Sequence, residues 1–186
     1  KGYKPLIMPS LSPFSQALGK RKAKHLLRRT CFNFTPEKID EFANLTSAQA
    51  LWVLSTPSTP KLTEPIDPRG SDWEDQHWTS SVKDPAEFSR QGAKRTYICG
   101  WWWYNAQNEI SLEHKITMFL HTCFTASKDA GTGPSTHFYD YLRLLQKYAF
   151  GSVKILAQKI TINNAMLLYL DNNVNTKYKP NENYAR

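Results

Sequence analysis

The sequence predicts an all-α fold, an irregular multi-helix domain that carries a long proline-rich loop and is incomplete at its C-terminus. Apolar residues recur at three- and four-residue spacing along most of the chain, the spacing that lines one face of a helix. Hydroxyl, Asn and Pro residues stand where those stretches begin, as helix caps and first-turn positions require. No segment alternates apolar and polar residues as a half-buried strand would, and no repeat of fixed period is visible.

The elements follow in order. Residues 1–14 carry Pro5, Pro9 and Pro13 without periodicity and read as an N-terminal arm. Residues 15–54 form a three-helix unit. Its first helix is predicted from Ser15 to Arg29 on Leu18, Ala23, Leu26 and Leu27. Thr35-Pro36-Glu37 opens the second: a hydroxyl cap, a proline at the first helical position and an acid at the positive end of the dipole. The spacing of Thr46 and Gln49 is that of a capping box opening the third. Residues 55–83 break the pattern with Pro57, Pro60, Pro65 and Pro68, followed by Trp73 and Trp78, and read as a loop pinned by its aromatics.

Residues 84–186 are the helical core. After Asp84-Pro85 a helix runs through Trp101-Trp102-Trp103-Tyr104, four neighbours that cannot share one face because successive side chains turn by about 100°. Ser111 caps a helix with Leu112, Ile116, Phe119, Leu120, Cys123 and Phe124 as its stripe. Gly131 to Pro134 make a turn, and Ser135 or Thr136 caps a helix facing inward with Phe138, Tyr141, Leu142 and Leu145. Val153 to Ile160 resume after Gly151, and Asn163 opens a last helix that ends at Asp171.

With 186 residues, 40% of them apolar and 22% charged, the chain has enough material for one domain with a core and is too apolar to be disordered. No apolar run reaches the roughly 18 residues of a membrane span, so none is expected. The chain opens on Lys1, as expected downstream of a processing site, and is expected to be cut off inside its closing NENYAR. The net charge of +8 is concentrated in Lys20, Arg21, Lys22, Lys24, Arg28 and Arg29. Such a cluster steers toward polyanions or forms a solvated helix face. The interleaved Leu26 and Leu27 favour the packed helix, and nucleic acid is not an expected partner. Cys31, Cys99 and Cys123 have no metal-like spacing and read as buried thiols, or as one disulfide plus a thiol in an oxidising compartment.

Candidate chemistry is sparse. His114, Met118 and His121 share a flank of the Ser111 helix, but no acid completes an HExxH-like pattern and Glu113 lies off that flank. His121, beside the most apolar stripe, is the candidate catalytic histidine. In the loop Asp171 to Glu182, the oxygen side chains of Asp171, Asn173, Asn175 and Glu182 follow the ligand order of an EF-hand, which makes Ca²⁺ or another divalent metal the candidate cofactor. Thr176 stands where that loop needs glycine, and Lys177 and Lys179 oppose a cation. The alternative is a rigid loop of Asx turns, with Asn181 capping a helix from Glu182. Trp101, Trp102, Trp103 and Tyr104, with Lys20, Arg21, Lys22 and Lys24, are the candidate binding surface. No Gly-rich phosphate loop, GxSxG elbow or CxxC pair is present.

Several segments together resemble one family. They are His25 to Thr30 with Phe32 and Thr35-Pro36, Met118 to Phe124, Ala165 to Asn172, and Pro180 to Arg186. The family is the bacterial group catalogued as domain of unknown function 1800, and the resemblance runs through nearly the whole chain in order. It implies a long, mostly helical, exported protein, often encoded beside an exported partner resembling the sulfatase and phosphatase superfamily, and continuing past NENYAR into further helices. It implies no activity. The family's central helix commonly reads tryptophan, histidine, asparagine, histidine, phenylalanine. Here Leu120 replaces the tryptophan and Cys123 the second histidine, which leaves His121 alone or in a mixed His/Cys pair.

The expected function is a non-enzymatic exported or cell-surface component of a bacterial envelope complex, located in the periplasm, on the outer-membrane surface or outside the cell. Its partner is another exported protein or the remainder of the same protein. The alternatives are an exported, metal-dependent hydrolase whose site is completed beyond Arg186, and a polyanion binder acting through residues 20–29.

Overall fold

The computed structural model describes residues 14–56, 85–129 and 131–185. The arm up to residue 13 and most of the 55–83 loop, including Trp73 and Trp78, lie outside the described residues. The chain is all-α. Its helices are α1 (Gly19–Thr30), α2 (Pro36–Ala43), α3 (Ser47–Ser55), α4 (Pro85–Asn108), α5 (Glu113–Cys123), α6 (Ser135–Lys147), α7 (Val153–Ile160), α8 (Asn164–Tyr169) and the short α9 (Glu182–Ala185), with a 3₁₀ turn at Asn172–Val174. Among the described residues no strand forms, and no helix is long and apolar enough to cross a membrane.

Local chemistry sets most boundaries. The Thr35 hydroxyl accepts from Lys38 N, and Thr46 and Gln49 close a reciprocal capping box. The Ser152 hydroxyl accepts from Ile155 N to cap α7, and the Asn163 side chain accepts from Ala165 N and Met166 N to cap α8. Several boundaries differ from expectation. At α5 the N-cap position falls on Leu112 rather than Ser111, although the Ser111 hydroxyl accepts from Glu113 N at 3.1 Å. The first helix begins at Gly19 rather than Ser15, because Ala17 bridges to Thr46 and Leu18 N donates to Leu45 O at 2.9 Å. A tertiary pairing there displaces a helical turn that the local sequence would permit, and Gly19 takes the positive φ (68°) at the junction. The last predicted helix stops at Tyr169, and Asp171 adopts a left-handed φ of 56° beyond it.

Two apolar clusters form. In the first, α1, α2 and α3 close around Leu27, Phe42 and Leu54, with Ile110 and Leu112 packed against them. The second centres on α6, whose Phe138, Tyr141, Leu142 and Leu145 meet Ile98 of α4, Leu120 of α5, Leu156 of α7 and Met166 of α8. Helix α6 starts unusually. Its first N–H is taken by the Gln91 side chain, Ser135 N to Oε1 at 2.8 Å, and neither Ser135 nor Thr136 provides the predicted hydroxyl cap. Beside it, the buried Arg95 donates from Nη1 to Gly133 O at 2.6 Å and from Nε to Lys128 O. Gly133 has φ 72°, and a Cβ there would lie 2.5 Å from Leu168. The positive φ is what calls for glycine at the approach to α6, while the Leu168 methyl would have to shift to admit a side chain.

A cleft between α4, α5 and α6 as candidate functional site

One turn from each of three helices builds a cleft of about 240 Å³. Helix α4 contributes Cys99, Trp102 and Trp103, α5 contributes Met118 and His121, and α6 contributes Phe138 and Leu142. These are three- and four-residue spacings, so each helix turns one continuous face to the same space. Two features noted separately in the sequence, the tryptophan run and His121, thus meet at one place.

The aromatic run divides as 100° rotation demands. Trp101 points to the core and lies 5.5 Å from the Tyr139 ring. Trp102 and Trp103 stack at 5.4 Å, and the Phe32 ring meets Trp103 edge-on at 4.8 Å. Tyr104 is 68% exposed. Next to the cleft, Met118 and Trp103 are partly open and Phe119 is 64% exposed, so an apolar rim surrounds an apolar recess.

His121 is fixed by α6. Its Nδ1 lies 2.7 Å from the Tyr141 hydroxyl, and that hydroxyl lies 2.5 Å from Phe124 O. Because the phenol has one proton and spends it on the carbonyl, the Nδ1–H must donate to the phenol oxygen. The remaining ring nitrogen, Nε2, then carries a lone pair and has no hydrogen-bond partner among the described residues. Burial lowers the His121 pKa and so favours the neutral ring, and burial likewise pushes the Tyr141 phenol well above its ordinary value.

Burial also lowers the His137 pKa. A histidine that resists protonation when folded binds fewer protons than its unfolded counterpart, whose pKa is near 6.5. The stability from these two residues is complete above about pH 6.5 and is lost as pH falls below it. Thermal melts between about pH 7.5 and 5.5 should show a falling midpoint on the acid side, and His121→Gln should flatten that slope. An unchanged slope would remove His121 from the acid response.

The other sequence candidates lie elsewhere. His114 is fully buried with Nε2 2.6 Å from Glu109 Oε2, so its acid partner is five residues upstream and was not anticipated. Glu113 is buried over a separate polar recess with Tyr139, Asp140 and Arg143, and burial raises its pKa. Cys123 is exposed and does not line the cleft, whereas the half-buried Cys99 does. All three cysteines are free.

In the Asp171 loop, Asn175 Oδ1 accepts from Asn181 N at 2.9 Å, and the Asn175 side-chain amide donates to Asn172. The Asn181 side chain donates to Leu170 O at 2.8 Å. These asparagines tie the loop to itself in the manner of Asx turns. Among the described residues, no three His, Cys, Asp or Glu side chains gather where they could hold a metal. On α1, Lys20, Arg21, Lys22 and Lys24 are exposed. Lys20 pairs with Asp40 at 2.7 Å, and Lys22 sits over the Phe14 ring at 3.2 Å. These basic residues are exposed around the packed Ala23 and Leu27 and are not among the residues lining the cleft.

A family model described as "Protein of unknown function (DUF1800)" matches residues 25–186. No curated protein and no solved structure matches the chain.

Proposed function

Starting from a chain that belongs to the DUF1800 family of proteins of unknown function, we propose a non-enzymatic binding or assembly component of a bacterial envelope complex, exported or held at the cell surface. The observation that carries the binding role is the apolar cleft with its exposed rim of Trp103, Met118 and Phe119. Apolar recesses ringed by exposed aromatic side chains are favoured places for a protein partner to anchor. The envelope setting follows from what the family resemblance implies.

A photocrosslinking residue in place of Phe119, in the full-length protein in its own cells, tests both parts. The expected result is one dominant heteromeric adduct in the periplasmic or outer-membrane fraction, reduced several-fold by Trp103→Ala. An adduct pattern indifferent to Trp103→Ala, or a cytoplasmic protein, would overturn the proposal.

A second reading, an exported enzyme, is favoured by the Nε2 of a neutral His121, which has no hydrogen-bond partner among the described residues and is in the form a general base requires. It is lost if His121→Ala leaves every activity of the full-length protein intact. The polyanion reading predicts heparin retention through residues 20–29 that weakens steeply with salt, and salt-insensitive behaviour would end it.

A further inference from the structure

We propose that the cleft between α4, α5 and α6 is a site for one copper(I) ion, held by Cys99 Sγ, His121 Nε2 and Met118 Sδ. The site goes beyond the binding reading above and does not rest on it.

The donors share one small space. Met118 and His121 stand three residues apart on α5, which makes them neighbours on one face. Cys99, free and half-buried, lines the same recess of about 240 Å³ from α4. His121 is preset as a ligand. Its Nδ1–H is spent on Tyr141, whose own proton goes to Phe124 O, so the lone pair is fixed on Nε2. Metal-bound histidines are held through their second nitrogen in the same manner. Nε2 makes no hydrogen bond among the described residues, yet it is not sealed from solvent. The described side-chain nitrogens that are both buried and unpartnered belong to Trp102, Asn105, His114 and His137. The His121 lone pair therefore keeps accessible surface, on a residue that lines the recess.

The chemistry of the set selects the ion. Thiolate and thioether sulfur are soft ligands, and together with imidazole they suit Cu⁺. Among the described residues no carboxylate lines the recess, which leaves Ca²⁺, Mg²⁺ and Mn²⁺ without the oxygen ligands they need. Charge then separates Cu⁺ from Zn²⁺. One thiolate neutralises a univalent ion, whereas a divalent ion would keep a net positive charge among Trp102, Phe138 and Leu142. Zinc also takes its ligands from Cys, His, Asp and Glu, and of these the recess offers only Cys99 and His121. On binding, the Cys99 thiol gives its proton to solvent and Cu⁺ takes its place on sulfur. No electron changes hands. Met118, unbranched and adaptable, completes a three-coordinate site by side-chain rotation alone.

Anaerobic titration of the full chain with Cu⁺, in competition with the chromophoric chelator bicinchoninate, tests the site. One ion per chain should be retained, and excess Zn²⁺ should not displace it. Cys99→Ser and His121→Ala should each abolish retention, and Met118→Leu should weaken it. Tyr141→Phe, which frees the histidine tautomer, should weaken it by about 10–100-fold. Cys31→Ser and Cys123→Ser should change nothing. X-ray absorption at the copper edge should show nitrogen and sulfur neighbours together.

The proposal is overturned if no ion is retained, if retention survives Cys99→Ser or depends on Cys123, or if Zn²⁺ displaces the copper. Where a variant does not fold, the copper-edge spectrum of the unsubstituted protein decides, and sulfur-only or oxygen-rich coordination rejects the site. A Phe119 crosslink that depends on Trp103, with no copper retained, rejects the copper site and leaves the binding reading standing.

Discussion

Replacing Arg95 by alanine is expected to lower the unfolding free energy by about 3 kcal/mol and the melting temperature by roughly 6–12 °C. The side chain is 5% exposed and serves as a clamp between α4 and the turn that leads into α6. It satisfies Lys128 O and Gly133 O, while Gln91, one turn earlier on α4, takes the first N–H of α6. Truncation leaves two carbonyls without their charged donor, and each such hydrogen bond contributes about 1.5–3 kcal/mol. Burial disfavours the guanidinium charge and offsets part of that gain.

The loss should spread to the cleft, since Phe138 and Leu142 stand in the first two turns of the helix that Arg95 anchors. Arg95→Lys should recover only part, because an ammonium does not reproduce the planar fork that reaches both carbonyls. Scanning calorimetry checks this, and a fall of less than about 2 °C for the alanine variant would mean the turn does not depend on the clamp.

Phe42→Ala is expected to cost about 3–5 kcal/mol, the range for emptying a fully buried aromatic site. Phe42 is 0% exposed and sits where α2 meets α1 and α3, among Ala23, Leu27, Ala50 and Leu54. Ala23 and Ala50 are too short to fill the vacated space, and Leu27 and Leu54 are fully buried in their own packing, so a void should persist. Urea denaturation gives the measurement. A cost below about 1.5 kcal/mol would show that the helices collapse onto the gap. Cys99, Phe138 and Leu142 of the cleft pack in the other cluster, so the cleft of the folded fraction should change little.

The helices of this protein were legible because their signals are local. Thr35 with Pro36, the Thr46 and Gln49 box, and Asn163 before Ala165 each satisfy backbone groups within three residues of themselves. The stripe of Phe138, Tyr141, Leu142 and Leu145 announced a core-facing helix by spacing alone. His121 stood out for the same reason, as a polar residue beside an apolar face. Where the decisive partner is distant in sequence, the signal fails. Nothing near Ser15 reveals that Ala17 will pair with Thr46, and nothing near Ser135 reveals that Gln91 will replace the expected hydroxyl cap. Arg95 reads as one more helix-surface cation until the turn folds over it.

What the sequence determined by itself, then, is the all-α class, the order of the helices and the presence of a tryptophan run and a lone apolar-face histidine. Only the tertiary structure decided that these two meet, through one turn each of α4, α5 and α6, and that Tyr141 fixes which histidine nitrogen carries the proton. The physical reason is range. Caps and periodicity act over three or four residues, whereas the cleft and the histidine tautomer depend on contacts 17 to 20 residues apart or more, which exist only once the helices have packed.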